Sequence, residues 1–179
     1  MLAIENTALL VVDVQGKLAS LMHDREALYA QLQKLVMGAK ALGIPILWAE
    51  QNPERMGATI PELAERLRPL SPIAKMSFSC WGEPRFRDAL GMTGRKQALL
   101  CGIEAHVCVC QTACDLVAAG YEVHVVADAV SSRTLQNRSV GLDRAREAGG
   151  HITSVEGCLF ELLRTADHPS FRDILRLVR

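Results

Sequence analysis

ALLCGIEAHVCVCQTACD, residues 98–115, is the stretch whose reading decides the fold. An apolar strand, Ala98–Cys101, leads through a glycine-containing turn, Gly102–Ala105, into a helical run with Cys108 near its first turn. The first N–H groups of a helix lack partners and carry partial positive charge, so they stabilise an anion. A thiol held there is expected to ionise more readily than a free one. Cys110 points elsewhere on the same run and Cys114 lies further inside it. Cys108 is therefore the candidate nucleophile; the bland alternative is a small buried hydrophobe, the usual fate of a cysteine.

The alternation of strand and helix continues on both sides of this stretch. Ala8–Val12 is a continuous apolar run ending in Asp13, the pattern of a strand buried on both faces. Asp24 reads as the N-cap of a helix over residues 26–42 that stops at Gly43. A second strand is expected at Ile44–Ala49, a loop at 51–61, a short helix from Pro61 to Leu67, and a short strand at Ile73–Ala74 before Lys75. Then follow a helix over Pro84–Leu90, a strand over Gln97–Cys101 and a helix over 106–119 ending at Gly120. The rest reads as strand Glu122–Ala127, helix 136–148, strand His151–Ser154 and two C-terminal helical segments. Strands alternating with helices predict one doubly wound α/β domain over residues 1–179, a parallel sheet with right-handed connections and helices on both faces.

Sheets of this kind bind ligands beyond the carboxyl ends of their strands. Asp13, Lys75 and Cys108 all fall there. Asp13 is either a turn residue or a general base that takes a proton from the nucleophile. Lys75 is either a solvated surface cation or an ammonium that stabilises negative charge developing beside Cys108. Trp48, Phe78 and Trp81 lie close to the same strand ends, as ordinary packing or as pocket walls.

Composition removes several function classes. Lys+Arg and Asp+Glu are 20 each, so nothing in the composition suggests an electrostatic nucleic-acid binder, which would need a basic patch or stripe. A chain without net charge is also poorly protected from self-association. No apolar run approaches the ~20 residues of a membrane span, and Glu5 stands where a secretory signal would be basic. A cytoplasmic protein that handles a small molecule is expected. The six cysteines read as free thiols, because Cys101 lies in an apolar strand and Cys110 and Cys114 on one helical run. Cys108, Cys110 and Cys114 also lack the second ligand pair of a structural zinc site. His106 neighbours Cys108 but points in another direction on a helix. His23, His124, His151 and His168 are dispersed, with no HxH or i,i+4 spacing, so neither a metal nor a cofactor is expected.

The segments LLVVDVQ (9–15), IAKMSFSCW (73–81) and CGIEAHVCVCQTACDLVAAGYEVHVVADAVSSR (101–133) resemble the isochorismatase-like cysteine hydrolase family, across essentially the whole chain. The resemblance implies a Rossmann-like three-layer sandwich with about six parallel strands. It places an Asp–Lys–Cys triad on Asp13, Lys75 and Cys108 and a non-proline cis peptide at Ile103–Glu104, and it implies a homo-oligomer of dimers or larger. Loops 14–24 and 51–61 are expected to shape the substrate pocket, with Gln15, Leu18 and Gln51 beside Trp48, Phe78 and Trp81. Nicotinamidases of the family carry an Asp-x-His…His metal site, whereas here the corresponding AEQNPERMG (49–57) has no histidine. Relatives acting on isochorismate have glycine at the nucleophile position, so Cys108 points to acyl transfer.

The expectation is a metal-independent cysteine hydrolase of a small amide or related C–N substrate, working through a thioester. Asp13 accepts the thiol proton, backbone N–H groups of Val107 and Cys108 hold the oxyanion, and Lys75 stabilises charge beside it. The alternative is an oligomeric binding or scaffold protein of the same fold with little or no turnover. A redox-sensing role for the cysteine-rich helix is the third reading.

Overall fold

The apolar runs of the sequence become six parallel strands in the order β3-β2-β1-β4-β5-β6. The computed structural model describes residues 1–179. In chain order the elements begin with β1 (Thr7–Val12), α1 (Gly16–Ser20), α2 (Arg25–Ala41) and β2 (Ile46–Gln51). Next come α3 (Pro53–Met56), α4 (Pro61–Leu67), β3 (Ile73–Lys75), α5 (Pro84–Met92) and β4 (Gln97–Ile103). A π-helical turn (Ala105–Val109) then leads into α6 (Cys110–Ala118), β5 (Glu122–Ser131), α7 (Leu135–Glu147), β6 (His151–Thr153), α8 (Val155–Leu163) and α9 (Phe171–Val178).

β1 and β4 are buried along their whole lengths, which explains why their sequences show no polar alternation. Leu9, Val11, Leu99, Cys101 and Ile103 face one apolar layer, built from α2, α4, α8 and α9. Ala8, Leu10, Val12, Ala98 and Leu100 face the other, built from α5, α6 and α7. No helix is long and apolar enough to cross a membrane.

Local chemistry shifts several boundaries from the expected ones. Asp24 adopts φ +49° and its side chain caps nothing, so α2 starts without the expected side-chain cap. Thr134 and Ser154 do cap, their hydroxyls accepting from the N–H groups of Asn137 at 3.2 Å and Gly157 at 3.1 Å. β5 runs on to Ser131, past a register shift opposite Leu100 and Gly102 of β4. The region read as a loop holds α3, and Gln15 bridges to Thr59 across it. The helix expected from residue 106 is a π turn followed by α6.

β1 lies between β2 and β4, the place where the strand order reverses and a crevice opens at the carboxyl ends. Gly102 makes the approach there close: its φ is +117°, and a Cβ would stand 2.0 Å from the Val12 carbonyl oxygen. Only glycine lets β4 deliver its turn so near the end of β1.

Candidate active site

Asp13 follows β1 directly, with φ +53°. Aspartate tolerates this left-handed region better than most residues. Its N–H donates to the Ala49 carbonyl at 3.2 Å, and its own carbonyl accepts from Gln15 N–H at 2.8 Å, so the side chain is aimed by its own backbone. Lys75 Nζ, from the end of β3, donates to Asp13 Oδ2 at 2.6 Å. The same ammonium meets Gln51 Oε1 at 2.9 Å and the carbonyls of Ser77 at 3.1 Å and Phe78 at 3.0 Å. Four acceptors therefore surround three protons, and Lys75 is a fixed charge without a free donor.

The other carboxylate oxygen, Asp13 Oδ1, is buried and has no partner at ordinary hydrogen-bond geometry. The thiol of Cys108 is the weak donor that acts on this carboxyl. Burial pushes the Asp13 carboxyl above its ordinary range, only partly offset by Lys75. Burial also pushes the Cys108 thiol up, and the Asp13 charge pushes it further, against the pull of Lys75. Desolvation and the Asp13 charge therefore oppose the easy ionisation expected from the helix terminus, and both favour the neutral thiol in the free protein.

The π turn sets the direction of the thiol. Val109 N–H reaches back five residues to the Glu104 carbonyl at 3.2 Å, and Val107 N–H donates to the same oxygen at 3.0 Å. Val107 is thus corrected as an oxyanion donor, because its N–H is already engaged; the Cys108 N–H remains as the candidate. The Ile103–Glu104 peptide is cis. Glu104 Oε1 accepts from Arg133 N–H at 3.2 Å and Nε–H at 3.0 Å, tying the turn to the end of β5. His106 Nδ1 pairs with Ser132 Oγ at 2.9 Å. Gly141 of α7 lies directly on the turn: a Cβ there would stand 2.4 Å from the Ala105 carbonyl carbon and oxygen. Nothing in the sequence marks this glycine apart from its place inside a helix.

A cavity of about 140 Å³ opens onto Asp13 and Cys108. Gln15, Leu18, Gln51 and Phe78 line it, together with Met56, Ile103, Glu104 and Val107. Trp48 does not: its ring packs in the core and its indole N–H donates to Thr59 Oγ1 at 2.7 Å. Trp81 also faces away, meeting Tyr121 edge-on at 5.6 Å. Both tryptophans are corrected from pocket walls to packing residues. Met56 was hidden in the region read as a loop, although Asn52-Pro53 is a helix-start signal that could have revealed α3. A second cavity of about 180 Å³, between α2, β5 and α7, lies apart from these groups. Its Arg138 and Asp128 are bonded to backbone carbonyls and to Val155 N–H.

A buried aspartate–lysine pair and a cysteine thus meet at the strand-order reversal of a parallel α/β sheet. The family model described as Isochorismatase domain matches residues 7–157, and the chain belongs to that family. It is 39% identical over 178 residues to the secreted isochorismatase effector Isc1 of Phytophthora sojae (strain P6497), with 97% of this chain and 85% of that protein covered. Among solved structures, the MAR1 ribonuclease of Caenorhabditis elegans superposes with TM-score 0.92 at 37% identity, over 99% of this chain and 91% of that one. YcaC of Escherichia coli, described as an octameric hydrolase of unknown specificity, gives 0.88 at 26% identity over 98% and 94%. YcaC of Pseudomonas aeruginosa, described with hexane-2,5-diol and covalent acrylamide, gives 0.92 at 26% identity over 98% and 90%.

Proposed function

We propose that this protein is a metal-independent cysteine hydrolase of a small, neutral amide or related C–N substrate. The observation that carries the reading is the buried Asp13 carboxylate, held by Lys75 through one oxygen and left with the other unpartnered beside the Cys108 thiol. A carboxyl pushed up by burial is a stronger base than an ordinary aspartate, which suits it to take a thiol proton.

In this mechanism ionisation and attack are coupled. Substrate enters the cavity, Cys108 Sγ bonds to the carbonyl carbon, and the thiol proton passes to Asp13. The oxyanion accepts from the Cys108 N–H, while the Lys75 charge acts through space because its protons are already donated. Collapse breaks the C–N bond as Asp13 returns the proton to the leaving amine, giving a thioester. Water, deprotonated by Asp13, then attacks the thioester; the acid leaves and the thiol is restored. The lining holds no histidine, lysine or arginine, which favours an uncharged over an anionic substrate. The covalent acrylamide described for the P. aeruginosa relative is a small amide held in a related protein.

The name of the C. elegans relative raises RNA cleavage for this fold. Zero net charge and a cavity of about 140 Å³ without a cationic lining favour the small amide. The neutral thiol of the free protein favours a second reading, an oligomeric binding protein with little turnover. A homo-oligomer is part of both readings, supported by the octameric relative. Six free thiols suit the cytoplasm. The deciding experiment is turnover across a panel of small amides, with intact-mass detection of an acyl-enzyme. Hydrolysis with an acyl adduct on the Cys108 peptide, both lost in Cys108→Ala, supports the hydrolase. A folded oligomer without turnover or adduct supports the binding protein.

A further inference from the structure

We propose that Glu122, His124 and His151 form a binding site for a divalent cation of the zinc class, at the opposite end of the strands from Cys108. In the sequence His124 and His151 stand apart, with no HxH or i,i+4 spacing. The sheet makes them neighbours. Parallel pairing sets His124 of β5 directly against His151 of β6. Residues in register share a face, and Glu122, two positions before His124, shares it as well. The imidazole centroids are 4.8 Å apart and tilted by 41°. Glu122 Oε1 lies 2.8 Å from His124 Nε2. One ligand atom from each of the three residues falls within 4.8 Å of the others.

The carboxylate is oriented as a metal ligand would be. Gln97 Nε2 holds Glu122 Oε2 at 2.9 Å, leaving Oε1 toward the imidazoles. Gln97 is itself fixed, its Oε1 accepting from Ala3 N–H at 2.8 Å and Thr7 Oγ1 at 3.2 Å. Such outer partners commonly orient metal ligands. His124 is buried and held in place, whereas His151 is exposed. Tetrahedral zinc places its ligand atoms about 3.3 Å apart, so rotation of the exposed His151 ring closes the set. Two imidazoles and one carboxylate suit zinc, cobalt or nickel better than magnesium or calcium, and no thiolate belongs to the group. Three protein ligands leave a fourth position for water. The Met1 amino group, 3.4 Å from Glu122 Oε1, is the competing cation that a metal displaces. A metal there pins the three-residue edge strand β6 to β5, and the site acts as a structural clamp.

Metal-free protein titrated with Co²⁺ tests the proposal, since cobalt spectra separate nitrogen and oxygen donors from thiolates. Expected are one Co²⁺ per chain with a thiolate-free spectrum and a rise in Tm. In both His151→Ala and Glu122→Gln the affinity falls at least about tenfold and the Tm rise disappears. His151 is exposed, so that variant folds and keeps the comparison clean. Absence of binding at millimolar Co²⁺, thiolate charge-transfer absorption, or unchanged affinity in His151→Ala overturns the site.

Discussion

Lys75 Nζ stands 2.6 Å from Asp13 Oδ2, and both side chains are withdrawn from solvent. Their strands are not adjacent: β3 pairs with β2, and β2 with β1. The Lys75 side chain therefore reaches across the end of β2, where Gln51 provides one of its acceptors. Pairs of this kind bring little net stability against an apolar replacement, yet losing one partner strands a buried charge. Lys75→Met is expected to lower unfolding free energy by about 3–5 kcal/mol, measured by urea denaturation. Adding Asp13→Asn should recover more than half of that loss. Strictly additive losses in the double variant would show that the two charges do not compensate each other.

In the proposed hydrolysis the raised Asp13 carboxyl sets the acid side of the activity profile. As pH falls, the base is protonated and kcat/KM declines with a midpoint above 3.8, the ordinary aspartate value. Stability moves in the opposite sense for this group. Its folded pKa exceeds its unfolded one, so its stabilising contribution is complete below the unfolded value and is lost as pH rises through the folded one. The Asp13→Asn variant should lose both the acid limb and turnover. An acid limb at or below 3.8 in the parent protein would remove Asp13 from the role of base.

Alkylation of Cys108 in the free protein is expected to be slow at pH 8 and to rise only above pH 9, because burial and the Asp13 charge both favour the neutral thiol. Cys114, which is only partly buried, should label faster. Peptide mass spectrometry after timed iodoacetamide exposure reads both sites at once. A Cys108 rate that already plateaus below pH 8 would reveal a thiolate and restore the helix-terminus effect as the stronger influence.

The order of strands and helices was legible because each strand buried on both faces appears as an unbroken apolar run, as in Ala8–Val12 and Ala98–Cys101. The positions of Asp13 and Lys75 were legible as strand ends, one directly after an apolar run and one closing the short edge strand β3. Cys108 was placed only by the turn that follows β4. What was hidden depends on distances between segments. Trp48 and Trp81 sit beside strand ends in the sequence, but the face each ring takes is set by Thr59 and Tyr121. The protonation of Cys108 follows from desolvation, which no neighbour in the sequence reports. The engaged Val107 N–H belongs to a π turn, and a one-residue change in hydrogen-bond spacing leaves no periodicity to read. His124 and His151 meet only through the register of β5 with β6.

Gly141 is the residue through which α7 packs on the turn that carries Cys108, the proposed nucleophile. A methyl group there would meet the Ala105 carbonyl carbon and oxygen at 2.4 Å and the His106 nitrogen at 2.6 Å, all backbone atoms that yield only if the π turn shifts. Displacing a reacting group by about 1 Å can lower the rate on the order of a hundredfold. Gly141→Ala is therefore expected to lose kcat by about ten- to a hundredfold with a smaller change in KM, while the far-ultraviolet circular dichroism stays native. Gly91 of α5 provides the control, since a Cβ there meets nothing within 4 Å. Gly91→Ala should keep full activity and gain about 0.4–1 kcal/mol of stability from reduced freedom of the unfolded chain. Equal activity in the two variants would show that contact with α7 does not position Cys108.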